Sequence, residues 1–127
     1  MKINPDCVRD LLLDIENTTS FNKHYTCERA VSSSLIDKYE YEVVLYHARY
    51  CYEAKLINGF APYDAGDYFD VADLSPTGHS FLANIRSNTN WKKIKDICVK
   101  IGSFSLEILT SVAAKVAGDG LSMQIFN

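Results

Sequence analysis

At 127 residues the chain has room for one domain with its own core but not for two, and its 47% hydrophobic and 23% charged content is that of an ordinary globular protein. No run approaches the roughly 18 apolar residues of a membrane span, and Met1-Lys2-Ile3-Asn4-Pro5-Asp6 lacks the apolar stretch of a signal peptide, so a soluble protein of the cytoplasm is expected. The net charge of −3 hides an asymmetry: residues 1–85 carry seven Lys/Arg against thirteen Asp/Glu, and residues 86–127 carry six against three, which places any basic footprint for phosphates in the tail.

The first helix should run over 5–17. Asn4-Pro5-Asp6 combines a capping side chain, a proline at the first helical position and an acid in the first turn. Val8, Leu11, Leu12 and Ile15 follow at helical spacing. Over 24–31, Tyr25, Cys27 and Val31 alternate with His24, Thr26 and Glu28, a strand signal spoiled by Arg29 on the apolar side. Ser32-Ser33-Ser34 reads as a turn or a short irregular helix.

The helix expected over 41–55 organises the chain. Tyr41, Val44, Leu45, Ala48, Cys51, Tyr52 and the stem of Lys55 share one face, and Glu42, Tyr46, Arg49, Tyr50 and Glu53 share the other. Burying the first set is worth roughly 10 kcal/mol in gross terms. The second set is unusual for a solvated face, because its tyrosines offer large apolar bodies with polar tips. Short β-rich runs follow at 56–60 and 68–74, joined by a proline- and glycine-containing loop over 61–67, which together make a hairpin wing.

Ser75-Pro76 repeats the cap-plus-proline start, and Phe81, Leu82 and Ile85 supply the buried stripe of a post-wing helix. After a break over 86–90, Trp91, Ile94, Cys98 and Ile101 resume a helical stripe while Lys92, Lys93, Lys95 and Lys100 point elsewhere. Beyond Gly102-Ser103 a last helix is expected over 104–117, stopped by Gly118, with Leu121, Met123, Ile125 and Phe126 available for a terminal strand or clasp.

Little in the chain points to catalysis. His24, His47 and His79 lie on separate elements with no nucleophile in a recognisable motif; they read as packing or capping residues, and His47 borders the outer face of the organising helix. Cys7, Cys27, Cys51 and Cys98 are widely spaced and read as reduced core thiols, with no Cys-x-x-Cys pair to start a zinc site. Asp64, Asp67, Asp70 and Asp73 recur every third residue through the wing without the closer spacing and distal glutamate of a calcium loop. They read as a solvated acidic hairpin that repels a DNA backbone. No enzyme, cofactor, metal or small-molecule substrate is expected.

The pattern Tyr46-His47-x-Arg49-x-Cys51-x-x-Ala54-x-Leu56-Ile57, followed by Leu74-Ser75-Pro76-Thr77-Gly78-His79-x-Phe81-Leu82, resembles many winged-helix proteins. Met1-Lys2-x-Asn4-Pro5-Asp6, Leu56-Ile57-Asn58-Gly59, Phe81 to Ser87, Asn90-Trp91 and Ile101 to Leu106 carry a more specific resemblance, over nearly the whole chain, to domain-of-unknown-function family 2513. That family is common in phages and prophages of Gram-positive bacteria. Asn90-Trp91-x-Lys93 is also similar to the smaller YjcQ family, likewise winged-helix. These resemblances imply a fold and a phage association but no activity and no site residues.

The expectation is therefore an α+β protein. A winged helix-turn-helix core (helix, strand, helix, β-hairpin wing, helix) fills 1–86, and a C-terminal helical extension over 87–127 packs on it or serves oligomerisation. The expected function is non-enzymatic binding of a protein partner, a host or defence factor, through Glu42, Tyr46, Arg49, Tyr50 and Glu53, with the acidic wing as a nucleic-acid mimic. The alternative is a transcription regulator meeting DNA through the organising helix and Lys92, Lys93, Lys95 and Lys100. Phe104, Ile108, Leu109, Val112 and Val116 form the candidate contact of a homodimer.

Overall fold

The computed structural model describes the backbone of residues 1–126 and the side chains of residues 1–120. Helix α1 (Pro5–Thr18) begins where Asn4 accepts the backbone N–H groups of Asp6 and Cys7, and it buries Cys7, Val8, Leu11, Leu12 and Ile15. Strand β1 (Tyr25–Glu28) points Tyr25 and Cys27 inward. It is shorter than the expected 24–31: the Arg29 N–H still donates to the Asp67 carbonyl at 2.9 Å, but the chain then turns, the Val31 N–H donating back to the Glu28 carbonyl at 3.1 Å. Helix α2 (Ser34–Tyr39) is capped by the Ser33 hydroxyl, which accepts from the Ile36 N–H.

Helix α3 (Tyr41–Glu53) follows after one residue, Glu40, whose φ of 71° and ψ of 146° belong to a region that suits glycine. It ends two residues before the expected stop. Lys55 turns left-handed at φ 64°, the Leu56 N–H donates to the Cys51 carbonyl at 2.9 Å and the Lys55 N–H to the Tyr52 carbonyl at 3.0 Å. This is a Schellman stop with lysine where glycine is usual.

The hairpin is built in two tiers. Strand β2 (Ile57–Asn58) pairs antiparallel with β5 (Asp73–Leu74), while β3 (Ala61–Tyr63) pairs with β4 (Tyr68–Val71), which also pairs with β1, giving the order β1-β4-β3. The expected loop over 61–67 is thus half strand. Pro62 is tolerated because β3 lies at the sheet edge, and the true connection is the single 3₁₀ turn Asp64–Gly66. Gly59, at φ 71°, separates the tiers, and a Cβ there would come within 2.6 Å of the Ala72 Cβ.

Ser75 caps helix α4 (Pro76–Ile85) by accepting from the Gly78 N–H at 2.9 Å. Helix α5 (Asn88–Ile101) starts earlier than expected: the break is confined to residues 86 and 87, because Ser87 accepts from Asn90 and caps the next turn. Helix α6 (Leu106–Phe126) passes through Gly118 and replaces the expected terminal strand; the clasp expected of Leu121, Met123, Ile125 and Phe126 rests on side chains outside the described residues. Helices α5 and α6 pack on each other and on α4, and α1 packs on α3 and α4. One connected apolar core joins Val8, Leu12, Val44, Phe69, Leu82, Trp91 and Leu109. The described residues form an α+β fold of six helices and two small antiparallel sheets.

Candidate functional site

The stripe that α3 turns inward is Tyr41, Val44, His47, Ala48 and Cys51. His47 takes the buried position expected for Tyr52, which is 47% exposed and packs its ring on Phe60 at 5.8 Å. The cause is the N-terminal segment. It crosses α3 so that the Asn4 N–H donates to His47 Nε2 at 2.8 Å, while His47 Nδ1–H donates to the Val43 carbonyl at 2.8 Å. Both ring nitrogens are engaged, the neutral Nδ1–H form is specified, and burial holds the imidazole below its ordinary pKa. Leu45, expected in the core, is half-buried on the flank.

On the opposite side the five expected partner-binding residues form a continuous surface. Tyr46 and Tyr50 lie together with ring centroids 5.8 Å apart, Tyr50 is 37% exposed, and the Tyr46 hydroxyl donates to the Met1 carbonyl. Arg49 Nε reaches Glu53 Oε1 at 3.1 Å, an exposed i,i+4 pair of small energetic weight. Glu42 receives Arg29 at 3.2 Å, and Arg29 also meets Asp67 at 3.1 Å while its guanidinium covers the Tyr41 ring at 4.7 Å.

Between this face and the hairpin runs a groove of about 370 Å³. Half-buried Leu45, Tyr46 and Phe60, exposed Pro62, and the charged Arg29, Glu42 and Arg49 line it. Sequence spacing along one helix reaches Glu42, Tyr46 and Arg49 but misses Arg29, Phe60 and Pro62, which come from the residue after β1, the residue before β3 and β3 itself. The alternation that spoils at Arg29 is the one available signal that this side chain is exposed and pairs with Glu42 and Asp67 instead of entering the core. At the hairpin tip Tyr63 and Tyr68 stack at 5.1 Å with 20° between their planes, and Tyr63 is 45% exposed.

The remaining expected residues fall elsewhere. Lys92, Lys93 and Lys100 are exposed on α5, whereas Lys95 is turned inward, donating to Asp6 Oδ1 at 3.0 Å beside the Trp91 indole N–H, which reaches the same oxygen at 2.8 Å. Leu109 is fully buried within the chain and therefore presents nothing to a second copy; Phe104, Ile108, Val112 and Val116 are half-buried against the same core. All four cysteines are buried free thiols. Burial pushes Cys51 up to about 12, so although it stands one turn from His47 the pair offers no thiolate at neutral pH. His79 lies 3.9 Å from Asp73 at the surface, and His24 is exposed. Asp67 pairs with Arg29, while Asp70 and Asp73 accept hydroxyl hydrogens from Thr26 and Thr19. Among the described residues no three His, Cys, Asp or Glu side chains gather to hold a metal, and no helix is long and apolar enough to cross a membrane.

Residues 2–105 match the model of a family described as Hypothetical protein (DUF2513). No curated protein and no solved structure matches the chain.

Proposed function

We propose that this chain, which belongs to the DUF2513 family, is a non-enzymatic winged-helix protein of phage or prophage origin that binds a protein partner in the cytoplasm of a bacterial host. The winged-helix reading is supported by the order helix, strand, helix, helix, hairpin, and by a sheet in which the first strand lies beside the returning strand of the hairpin. In that reading α2 and α3 are the helix-turn-helix and 61–71 is the wing.

The observation that carries the proposal is the chemistry of the outer face of α3. A helix that reads base edges offers Arg, Lys, Asn, Gln or Ser. Here the face offers two packed tyrosines between Glu42 and Glu53, and its one cation, Arg49, is already held by Glu53. The neighbouring wing adds Asp64, Asp67 and Asp70. Duplex phosphates meet repulsion on both elements, whereas tyrosines on a rigid helix suit a protein interface. Capture of partners with the full chain and with its Tyr46→Ala/Tyr50→Ala variant tests this: the variant should lose a partner that the native chain retains, and equal retention by both would refute the assignment of the face.

A second reading, a transcription regulator, draws on Lys92, Lys93 and Lys100, which are exposed and make no ion pair among the described residues. It requires binding to duplex DNA that weakens steeply with salt and is abolished by Lys→Glu changes at these positions.

A further inference from the structure

We propose that the outward face of the β1-β4-β3 sheet is a second docking surface, one that takes an arginine-bearing segment of a protein partner on the Tyr63–Tyr68 stack. This face is separate from the outer face of α3, and the proposal does not rest on how that face is read.

Register comes first. Side chains alternate across a strand, so with Tyr25, Cys27, Phe69 and Val71 buried, their neighbours point away from the core. Strand pairing sets these in two rows: Glu28, Tyr68 and Tyr63 abreast in one, and Thr26, Asp70 and Ala61 in the next. Thr26, Glu28 and Tyr63 are exposed, and Tyr68 and Asp70 are half-buried. Stacked tyrosines are an unusual choice for a solvated sheet face, because their bodies are large, apolar and rigid.

Charge decides the occupant. Neither row holds a lysine or an arginine. Glu28, Asp64 and Asp70 make no ion pair among the described residues, and Asp70 accepts the Thr26 hydroxyl at 2.7 Å. All three carboxylates act on one ring: desolvation, together with Asp64, Asp70 and Glu28, holds the Tyr68 hydroxyl above its ordinary pKa. A phosphate or an acidic segment meets repulsion here. A cation is attracted by the carboxylates and by the ring faces alike.

Shape selects arginine. Tyr63 stacks on one side of the Tyr68 ring at 5.1 Å. On the other side, towards Glu28, lies a cavity of about 230 Å³ lined by Glu28, Ala30, Val31, Asp67 and Tyr68. Arg29 also reaches this lining, but its guanidinium is committed towards α3, to Glu42 and Asp67 and over the Tyr41 ring at 4.7 Å. The space falls below the roughly 300–1,000 Å³ of small-molecule pockets and suits one long side chain. A planar guanidinium can stack on Tyr68 and fork onto Glu28 while its aliphatic stem covers Val31, which is 52% exposed. Arg29 with Tyr41, Glu42 and Asp67 shows the same union of ring and carboxylates within the molecule.

Fluorescence anisotropy of the full chain with two labelled peptides of equal length tests the proposal, one alternating alanine with arginine and the other alternating alanine with citrulline, the uncharged isostere. The arginine peptide should bind saturably at physiological salt and the citrulline peptide should not. Glu28→Gln with Asp64→Asn should weaken binding of the arginine peptide roughly tenfold. Asp96→Asn with Glu107→Gln, the same change of net charge on α5 and α6, should leave it within about twofold. Tyr68→Leu should weaken it several-fold, and so should Tyr63→Leu, whose ring lies outside the core. No saturable binding, equal binding of the two peptides, or equal weakening by the two neutralised pairs would overturn the proposal, as would unchanged binding in both tyrosine variants.

Discussion

His47 shows what a single residue contributes that helical spacing does not convey. The spacing placed Tyr52 in the core and His47 at the edge of the outer face, and the structure exchanges them because a backbone N–H forty-three positions away needs an acceptor. No local pattern carries that information. The exchange has a pH consequence. Unfolded, the imidazole titrates near its usual value of about 6.5; folded, burial and the fixed Nδ1–H form resist the proton. The unfolded chain therefore binds more protons below about pH 6.5, so His47's stabilising contribution is complete above that pH and drains away as pH falls towards the folded pKa. The melting temperature should fall between about pH 7.5 and pH 5, and the fall should be shallower in His47→Gln. Staying above pH 5 keeps this apart from Glu16, which a hydrogen bond from Arg86 holds low, and Asp6, which is held low by Trp91 and Lys95 in spite of its partial burial. Two backbone positions make opposite predictions. Glu40→Gly should raise stability by about 1 kcal/mol by relieving its φ of 71°. Gly78→Ala should lower it by about 3 kcal/mol, because a Cβ there collides with the Leu56 carbonyl.

At the scale of elements, the starts of helices were the most legible features, since a cap and a proline act within a few residues: Asn4-Pro5 and Ser75-Pro76 stand where they were read. Ends and strand tiers were less so. The stop at Glu53 depends on a left-handed lysine, and the split hairpin depends on Gly59 meeting Ala72 across the sheet. The early start of α5 depends partly on Arg9 of α1, whose guanidinium donates to the carbonyls of Ile85 and Arg86 and to Asn88 Oδ1 at 3.0, 2.6 and 3.0 Å. This one side chain joins the end of α4 to the beginning of α5. Arg9→Met keeps the aliphatic stem and removes all three bonds, so chemical denaturation should show a loss of about 2 kcal/mol. A loss under about 0.5 kcal/mol, typical of a neutral surface change, would mean that the junction holds without it.

For the whole molecule, residues 87–120 share a core with the helix that opens the chain, through Trp91, Ile94, Cys98 and Leu109. The apolar stripe of the tail was legible, but not what covers it, because periodicity gives a face and not its neighbour. Leu109→Ala should accordingly cost about 2–5 kcal/mol as a core cavity without changing the sedimenting mass of the chain. The outer face of α3 was legible for a related reason: it is the remainder once the core stripe is assigned, and it keeps Tyr50 exposed and Tyr46 half-buried. The groove beside it was not, because more than half its lining arrives from outside α3: Met1, Arg29, and Phe60, Pro62, Ala65 and Gly66 of the hairpin. The claim that this face grips a polypeptide is tested most directly by site-specific photo-crosslinking, with a benzoylphenylalanine incorporated at Tyr50 and, as a control, at Lys115 on the exposed side of α6. The account predicts a discrete protein adduct from position 50 and none from 115; adducts to nucleic acid at position 50, or equal protein adducts at both positions, would contradict it.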